Sequence, residues 1–411
     1  MVLITAGIHT FCGIYSDMTV STGFMSGKFE SKKSQKNRWK RYANVIHLWL
    51  GFLTGVVVFI VAITGCIYVF QDEIKDMTHD WRHIKRQDRA FIPPSVILKN
   101  VKHAYPAVAA NMVVYQNRDR PASVFVSIDN VPHTIYINPY SGEITHLQNL
   151  DNDFFMIVEH LHRFLLLPEQ IGKQVTGIST LIFLVMLITG LILWWPKRWK
   201  NAGQNFKIRW NARWRRKNYE WHRTTGFYMI LPAIVVALTG LSFSYEWVHD
   251  SFFFLGNIRN GETLESAVPS FEKNDKITAN VALDHAMSQT WDLAPGSGMY
   301  FVWDQGEGLP IITGAYPESH AFDHQSNFFF DPESGKLLAS QYYEDKSPGL
   351  KFQEMSYGLH TGQLLDLPGK IAAFIASLFV AALPVSGFLI WYGRRNKKKR
   401  KFLKHLPLQR I

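Results

Sequence analysis

Cysteine is nearly absent from the 411 residues, with only Cys12 and Cys66. A disulfide framework and a CxxC redox or zinc site are therefore excluded, and any redox work needs a bound cofactor. Charge is missing from four stretches: Val45–Phe70, Val175–Trp195, Thr224–Tyr245 and Ile371–Trp391 have no Asp, Glu, Lys or Arg in their interiors. Acid is missing from 197–217, which holds nine Lys and Arg. The first 24 residues lack a basic start and a long apolar core. They read as an unstructured tail rather than a cleaved signal peptide, and Met25 opens the basic segment after them.

Each uncharged run is long enough to cross a hydrocarbon core of ~30 Å at ~1.5 Å rise per residue. One such run alone would suit a buried helix, but four together predict a membrane protein. The net charge of +11 is sorted around them. Lys28–Arg41 holds seven basic residues and Arg394–Lys404 eight, whereas Glu246–Leu359 holds six basic and seventeen acidic. The segment 71–159 is also acidic on balance, with nine basic and eleven acidic residues. The positive-inside rule places the basic segments, and both termini, in the cytoplasm and the two long segments outside. Each basic run abuts a span, so the partner it implies is the lipid bilayer and not nucleic acid.

The predicted order is a cytoplasmic tail over 1–41, a first span over 42–70 and an outer domain over 71–159. A pre-helix and second span follow over 160–196, then a basic loop over 197–220 and a third span over 221–246. A second outer domain covers 247–357, a pre-helix and fourth span 358–393, and a basic tail 394–411. Helical patterns at 95–106 and 278–290, with strand patterns at 111–116, 123–129, 133–138, 299–303, 309–313 and 326–331, make both outer domains small α+β units.

The chain also repeats itself. His47 leads to Gly51 and, eighteen residues on, Gly65; His222 leads to Gly226 and, eighteen on, Gly240. Leu161-His162 precedes Pro168 and Gly172-Lys173, as Leu359-His360 precedes Pro368 and Gly369-Lys370. Thr189-Gly190 is matched by Ser386-Gly387, and Asn138-Pro139-Tyr-Ser141-Gly142 by Asp331-Pro332-Glu-Ser334-Gly335. Both halves start on the basic side, so they are parallel repeats related by an axis along the membrane normal.

Four of the sixteen histidines occupy matched positions. His47 and His222 stand at the basic ends of spans one and three; His162 and His360 stand just outside spans two and four. A single membrane-end histidine is commonly an interfacial anchor. Two at each face are what two bis-histidine haem b groups need, with all four imidazoles as iron ligands. Gly51 and Gly226 lie one turn on from their histidines and leave room for a flat ring, although close helix packing would also use them. Gly65 and Gly240 lie ~27 Å further along and would border the second group. Arg163 and Arg223 suit a propionate contact or a snorkelling place at the membrane edge. His160 competes with His162, but the repeat favours His162. His320 and His324, beside Asp323, suggest either a metal site or a solvated loop.

Arg41-Tyr42, His47, Leu161-His162-Arg163, Thr189-Gly190 with Trp194-Trp195-Pro196, Trp221-His222, Asp331-Pro332 with Ser334-Gly335, and Leu359-His360 resemble the PepSY-associated transmembrane helix family. The similarity runs over about residues 38–396. It implies a membrane α-helical fold of four transmembrane helices with two periplasmic α+β PepSY-like domains. It further implies a protein of iron uptake, a siderophore-iron reductase with two haems whose substrate is a ferric siderophore. The sequence shows no fused flavin domain, so a separate cytoplasmic or quinol electron donor is expected. A permease and a non-redox scaffold displaying PepSY domains are the alternatives. The absence of charge inside the spans speaks against a permease.

Overall fold

The computed structural model describes residues 32–404 apart from 197–198, 259–278 and 307. The tail expected over 1–24 lies outside the described residues. The chain begins with α1, Lys32–Tyr68, followed by α2, Gln71–Thr78, and α3, Pro94–Ala104. Four strands come next: β1, Met112–Tyr115; β2, Ala122–Ile128; β3, Val131–Ile137; and β4, Ile144–Asn149. Helices α4, Phe154–Phe164, and α5, Glu169–Trp194, close the first half. The second half begins with α6, Trp214–Tyr228; α7, Ile230–Ser244; α8, Glu246–Gly256; and α9, Ala279–Leu293. Its strands are β5, Met299–Trp303; β6, Ile311–Tyr316; β7, Ser326–Phe330; and β8, Leu337–Gln341. It ends in α10, Pro348–Glu354; α11, Ser356–Thr361; and α12, Asp366–Lys404.

Helices α1, α5 and α12 are each long and apolar enough to cross a membrane, and α6 with α7 makes a fourth crossing if counted as one bent span. The third span is broken, with a bend of 60° between Tyr228 and Ile230. Pro232 explains it. Proline has no N–H to give the Tyr228 carbonyl four residues back, and its ring crowds that oxygen. Pro384 lies inside α12 without ending it. In the bundle, α1 packs on α5 and α12, α5 on α7, and α12 on α6. Large apolar side chains point outward: Val56 is 71% exposed and Leu231 72%. Such a belt is expected where lipid is the solvent.

The strands form one sheet rather than two. Its order is β4-β3-β2-β1-β5-β6-β7-β8, antiparallel throughout. The seam is β1 against β5, with Met112 opposite Trp303 and Tyr115 opposite Tyr300. One apolar core runs across it, in which Ile97 and Val101 of α3 and Leu283 and Met287 of α9 cover Val113, Ile135, Val302 and Phe328. Each such fully buried side chain is worth about 1.5–3 kcal/mol. The two α+β units therefore share a sheet and a core. The matched Asn138 and Asp331 turns end β3 and β7 alike. Asn138 Oδ1 accepts from Tyr140 N and Ser141 N, and Asp331 Oδ1 accepts from Glu333 N and Ser334 N. Gly142 and Gly335 follow at φ +76° and +66°, where a side chain is strained.

An ion-pair cluster ties α2, which continues α1, to the sheet. Asp76 takes two hydrogen bonds from Arg120, before β2, at 2.5 and 2.6 Å, and one from Arg82 at 2.6 Å. Burial pushes the Asp76 carboxyl up, but these guanidinium contacts outweigh it and hold it well below the usual carboxylate range. The stabilisation is thus present at neutral pH and is lost as pH falls through the depressed folded value. Asp76→Asn should destabilise the protein by about 2 kcal/mol, between the values of buried and surface pairs. Thermal unfolding in detergent at pH 7 should show this loss, and the gap to the parent should narrow on acidification.

Candidate functional site

Two cavities lie inside the bundle, one toward the basic end and one toward the sheet. The first is about 340 Å³ and the second about 350 Å³. His47 and Gly51 of α1, His222, Arg223 and Gly226 of α6, and Arg394 of α12 line the basic-end cavity. His162 and Arg163 of α4, His360 of α11, Gly65, Gly240 and Lys173 line the sheet-end cavity. Val58 and Phe183 line both, so the two cavities meet at a single apolar layer.

The matched histidines face each other in pairs. The ring centroids of His47 and His222 are 6.4 Å apart, and those of His162 and His360 are 6.0 Å apart. Each pair takes one imidazole from each half of the chain. His160 is exposed and stands away from both cavities, its ring 6.0 Å from Phe164.

A hydroxyl from a different helix holds each of the four rings. His47 Nδ1 lies 3.0 Å from Thr189 Oγ1, and His222 Nδ1 lies 2.8 Å from Ser386 Oγ. His162 Nδ1 lies 3.1 Å from Thr64 Oγ1 and 2.9 Å from the Val61 carbonyl. His360 Nδ1 lies 3.0 Å from Thr239 Oγ1 and 3.0 Å from the Val236 carbonyl. Each hydroxyl gives its own proton back to a carbonyl of its helix: Thr64 to Ile60 or Val61, Thr189 to Val185 or Met186, Thr239 to Val235 or Val236, and Ser386 to Leu383. The hydroxyl oxygen is then left as an acceptor. The proton of each imidazole consequently sits on Nδ1, and Nε2 keeps a free lone pair. Among the described residues nothing hydrogen-bonds to any of these four Nε2 atoms.

The residue after each hydroxyl is a glycine that lies against the ring the hydroxyl holds, most tightly at Gly240. A Cβ at Gly65 or Gly190 would come within 3.4 Å of Cε1 of His162 or His47. At Gly387 it would meet His222 Cε1 at 3.4 Å, and at Gly240 His360 Cε1 at 3.0 Å. Gly51 and Gly226 also line the basic-end cavity, but their nearest neighbours are Met186 at 3.3 Å and Leu383 at 3.8 Å rather than a histidine. Thr64, Thr189, Thr239 and Ser386 were not singled out from the sequence as site residues. Their signal was present in the matched Thr64-Gly65, Thr189-Gly190, Thr239-Gly240 and Ser386-Gly387 pairs.

Cations stand at the rims. Arg163 Nη1 pairs with Glu159 Oε1 at 2.8 Å and is 45% exposed. Arg223 Nη2 donates to the Gln204 carbonyl at 2.6 Å, while its Nε is buried without a partner among the described residues. A buried donor left unmade costs about 1–3 kcal/mol. Among the described residues no group of three or more His, Cys, Asp or Glu is assembled to hold a metal. His324 Nδ1 pairs with Asp323 Oδ1 at 3.1 Å, and His320 Nδ1 lies 3.8 Å from Asp72 Oδ1. The solvated loop expected there fits His324, 42% exposed, but not His320, which is turned inward against α2 at 22%.

These features define a multi-pass helical membrane protein with two paired-histidine cavities stacked through its bundle. The family pattern of the PepSY-associated TM region matches residues 45–394, and the chain belongs to that family. No curated protein matches it.

Proposed function

We propose that this protein is a di-haem b electron-transfer protein of the bacterial inner membrane that reduces ferric siderophores to release Fe(II). In this reading both termini are cytoplasmic and the sheet lies in the periplasm. The observation that carries it is the approach of two histidine rings, each anchored through Nδ1, in each cavity. Two imidazoles that would hold one metal, each at about 2 Å, would have ring centroids about 6 Å apart. The spacings of 6.4 and 6.0 Å fit this.

When bound, a haem in each cavity would supply one-electron redox chemistry. The chain's own residues do the rest. Thr189 and Ser386 at one end, and Thr64 and Thr239 at the other, orient the imidazoles and keep Nε2 unprotonated. Val58 and Phe183, which line both cavities, form the apolar layer between the two sites. Arg223 offers its unpartnered Nε to a carboxylate at the basic-end rim. A ferric siderophore suits the sheet side chemically, since its hard oxygen ligands hold Fe(III) far better than Fe(II) and reduction releases the metal. The donor would be a separate cytoplasmic protein or a quinol.

The purified protein should show a low-spin b-type visible spectrum. Its reduced form should be reoxidised by ferric siderophores in stopped flow, with Fe(II) trapped by a ferrous chelator. A colourless protein removes the haem reading. Fast oxidation by a quinone but by no ferric chelate replaces siderophore reduction with a quinone-linked role. For orientation, reporter fusions after Lys200 and Lys404 should read cytoplasmic and one near Asn130 periplasmic; a periplasmic signal at Lys200 would sink the assignment.

A further inference from the structure

The repeat places a Gly-Lys pair at the start of the second and fourth spans, Gly172-Lys173 and Gly369-Lys370. The two glycines serve the same purpose. A Cβ on Gly172 would strike the Phe164 carbonyl oxygen at 2.2 Å, and one on Gly369 the Gly362 carbonyl oxygen at 2.1 Å. The two lysines do not. Lys370 Nζ lies 2.7 Å from Glu73 Oε1, and its side chain is only 12% exposed. Lys173 lines the sheet-end cavity, and among the described residues no carboxylate pairs with it.

The repeat itself explains the difference. A shift of 175 residues carries His47 onto His222, and the same shift carries Glu73 onto Val248. The second half thus lacks the acid that neutralises Lys370. Glu159 also lines the sheet-end cavity, but Arg163 already holds it. One cation is left over at the rim of a mainly apolar cavity. A half-buried ammonium costs desolvation unless an anion meets it.

We propose that Lys173 anchors a carboxylate of the group that fills the sheet-end cavity, and so fixes which edge of that group faces α5. Lys370, spent on Glu73, takes no part. The inference rests on the haem reading, in which the acidic edge is the pair of propionates. Lys173 rather than Arg163 is the principal partner, because Arg163 is both neutralised and 45% exposed.

The test is a redox titration of full-length protein carrying Lys173→Gln, Lys173→Arg or Lys370→Gln. The sheet-end haem is identified as the spectral species lost in His360→Ala. Lys173→Gln should shift its midpoint negative, since a cation beside the haem favours the reduced form. The basic-end midpoint should stay in place, Lys173→Arg should restore the parent value, and Lys370→Gln should move neither. Should Lys173→Gln lose sheet-end haem, reloading with haem and haem dimethyl ester decides. The parent and Lys370→Gln should favour the free acid at that site by roughly tenfold, as expected for one charge-assisted hydrogen bond, and Lys173→Gln should not. Equal behaviour of the two lysine variants in either measurement overturns the proposal and leaves Lys173 as a snorkelling residue. A colourless parent protein instead overturns the haem reading and takes the inference with it.

Discussion

Purified His47→Ala and His222→Ala proteins should each carry about half the haem of the parent, and both should lack the same spectral species. His162→Ala and His360→Ala should lack the other. The expectation follows from the rings facing each other at 6.4 and 6.0 Å across separate cavities. One imidazole alone leaves the opposite face of the group open. It also leaves that hydroxyl pin without its ring, so loss of either partner should empty the cavity. The pattern of double variants is more telling than any single one. His47→Ala with His222→Ala should be no worse than either alone, whereas His47→Ala with His162→Ala should leave the protein nearly colourless. Pyridine haemochrome quantification and low-temperature spectra measure both. If His47→Ala and His162→Ala removed one and the same species, the pairing would be wrong.

Transport of electrons across the bilayer should be lost entirely, not halved, when either pair is broken. In proteoliposomes with reductant on the basic side, His222→Ala and His360→Ala should both reduce an external ferric siderophore no faster than empty vesicles. The span from His47 to Gly65 is eighteen residues of continuous helix, ~27 Å along its axis. With one cavity empty, a large part of that length has no carrier. The side of addition separates the two variants. Reductant supplied on the sheet side should still reach the remaining haem in His222→Ala but find none at that end in His360→Ala. Equal rates from both sides in both variants would show that the two cavities do not act in series.

Much of this arrangement was written in the sequence. The four apolar runs gave the crossings because a bilayer sets a length, and the repeat paired His47 with His222 and His162 with His360. Pro232 and Pro384 both marked kinks, but they did not show that the first would break its helix at Met229 while the second leaves α12 whole, because what packs alongside decides between a bend and a break. Strands β4 and β8 were missed. Each follows a recognised turn, but Ile144–Asn149 and Leu337–Gln341 are outermost strands with no fully buried side chain, so their pattern is weak. The β1–β5 seam was illegible in principle, because edge pairing between distant strands leaves no periodicity behind. The hydroxyl pins were half legible. The Thr/Ser-Gly pairs stood out as a repeat, but Thr189 is 142 residues from the histidine it holds. Lys173 and Lys370 look identical in sequence and differ only in what the fold brings to them.

Neither half of the chain contains a complete cavity. Each half supplies one imidazole to each pair, and β1 and β5 are both open edges until they meet. Whatever binds between the histidines therefore binds only the associated halves, and mass action makes occupancy and association one equilibrium. Ligand at a hundred times its dissociation constant would tighten the join by about 2.7 kcal/mol per cavity. Two halves expressed as separate polypeptides should then come together in proportion to the cofactor available. Short of it, each would be left with an unpaired strand edge, the kind of surface on which chains aggregate.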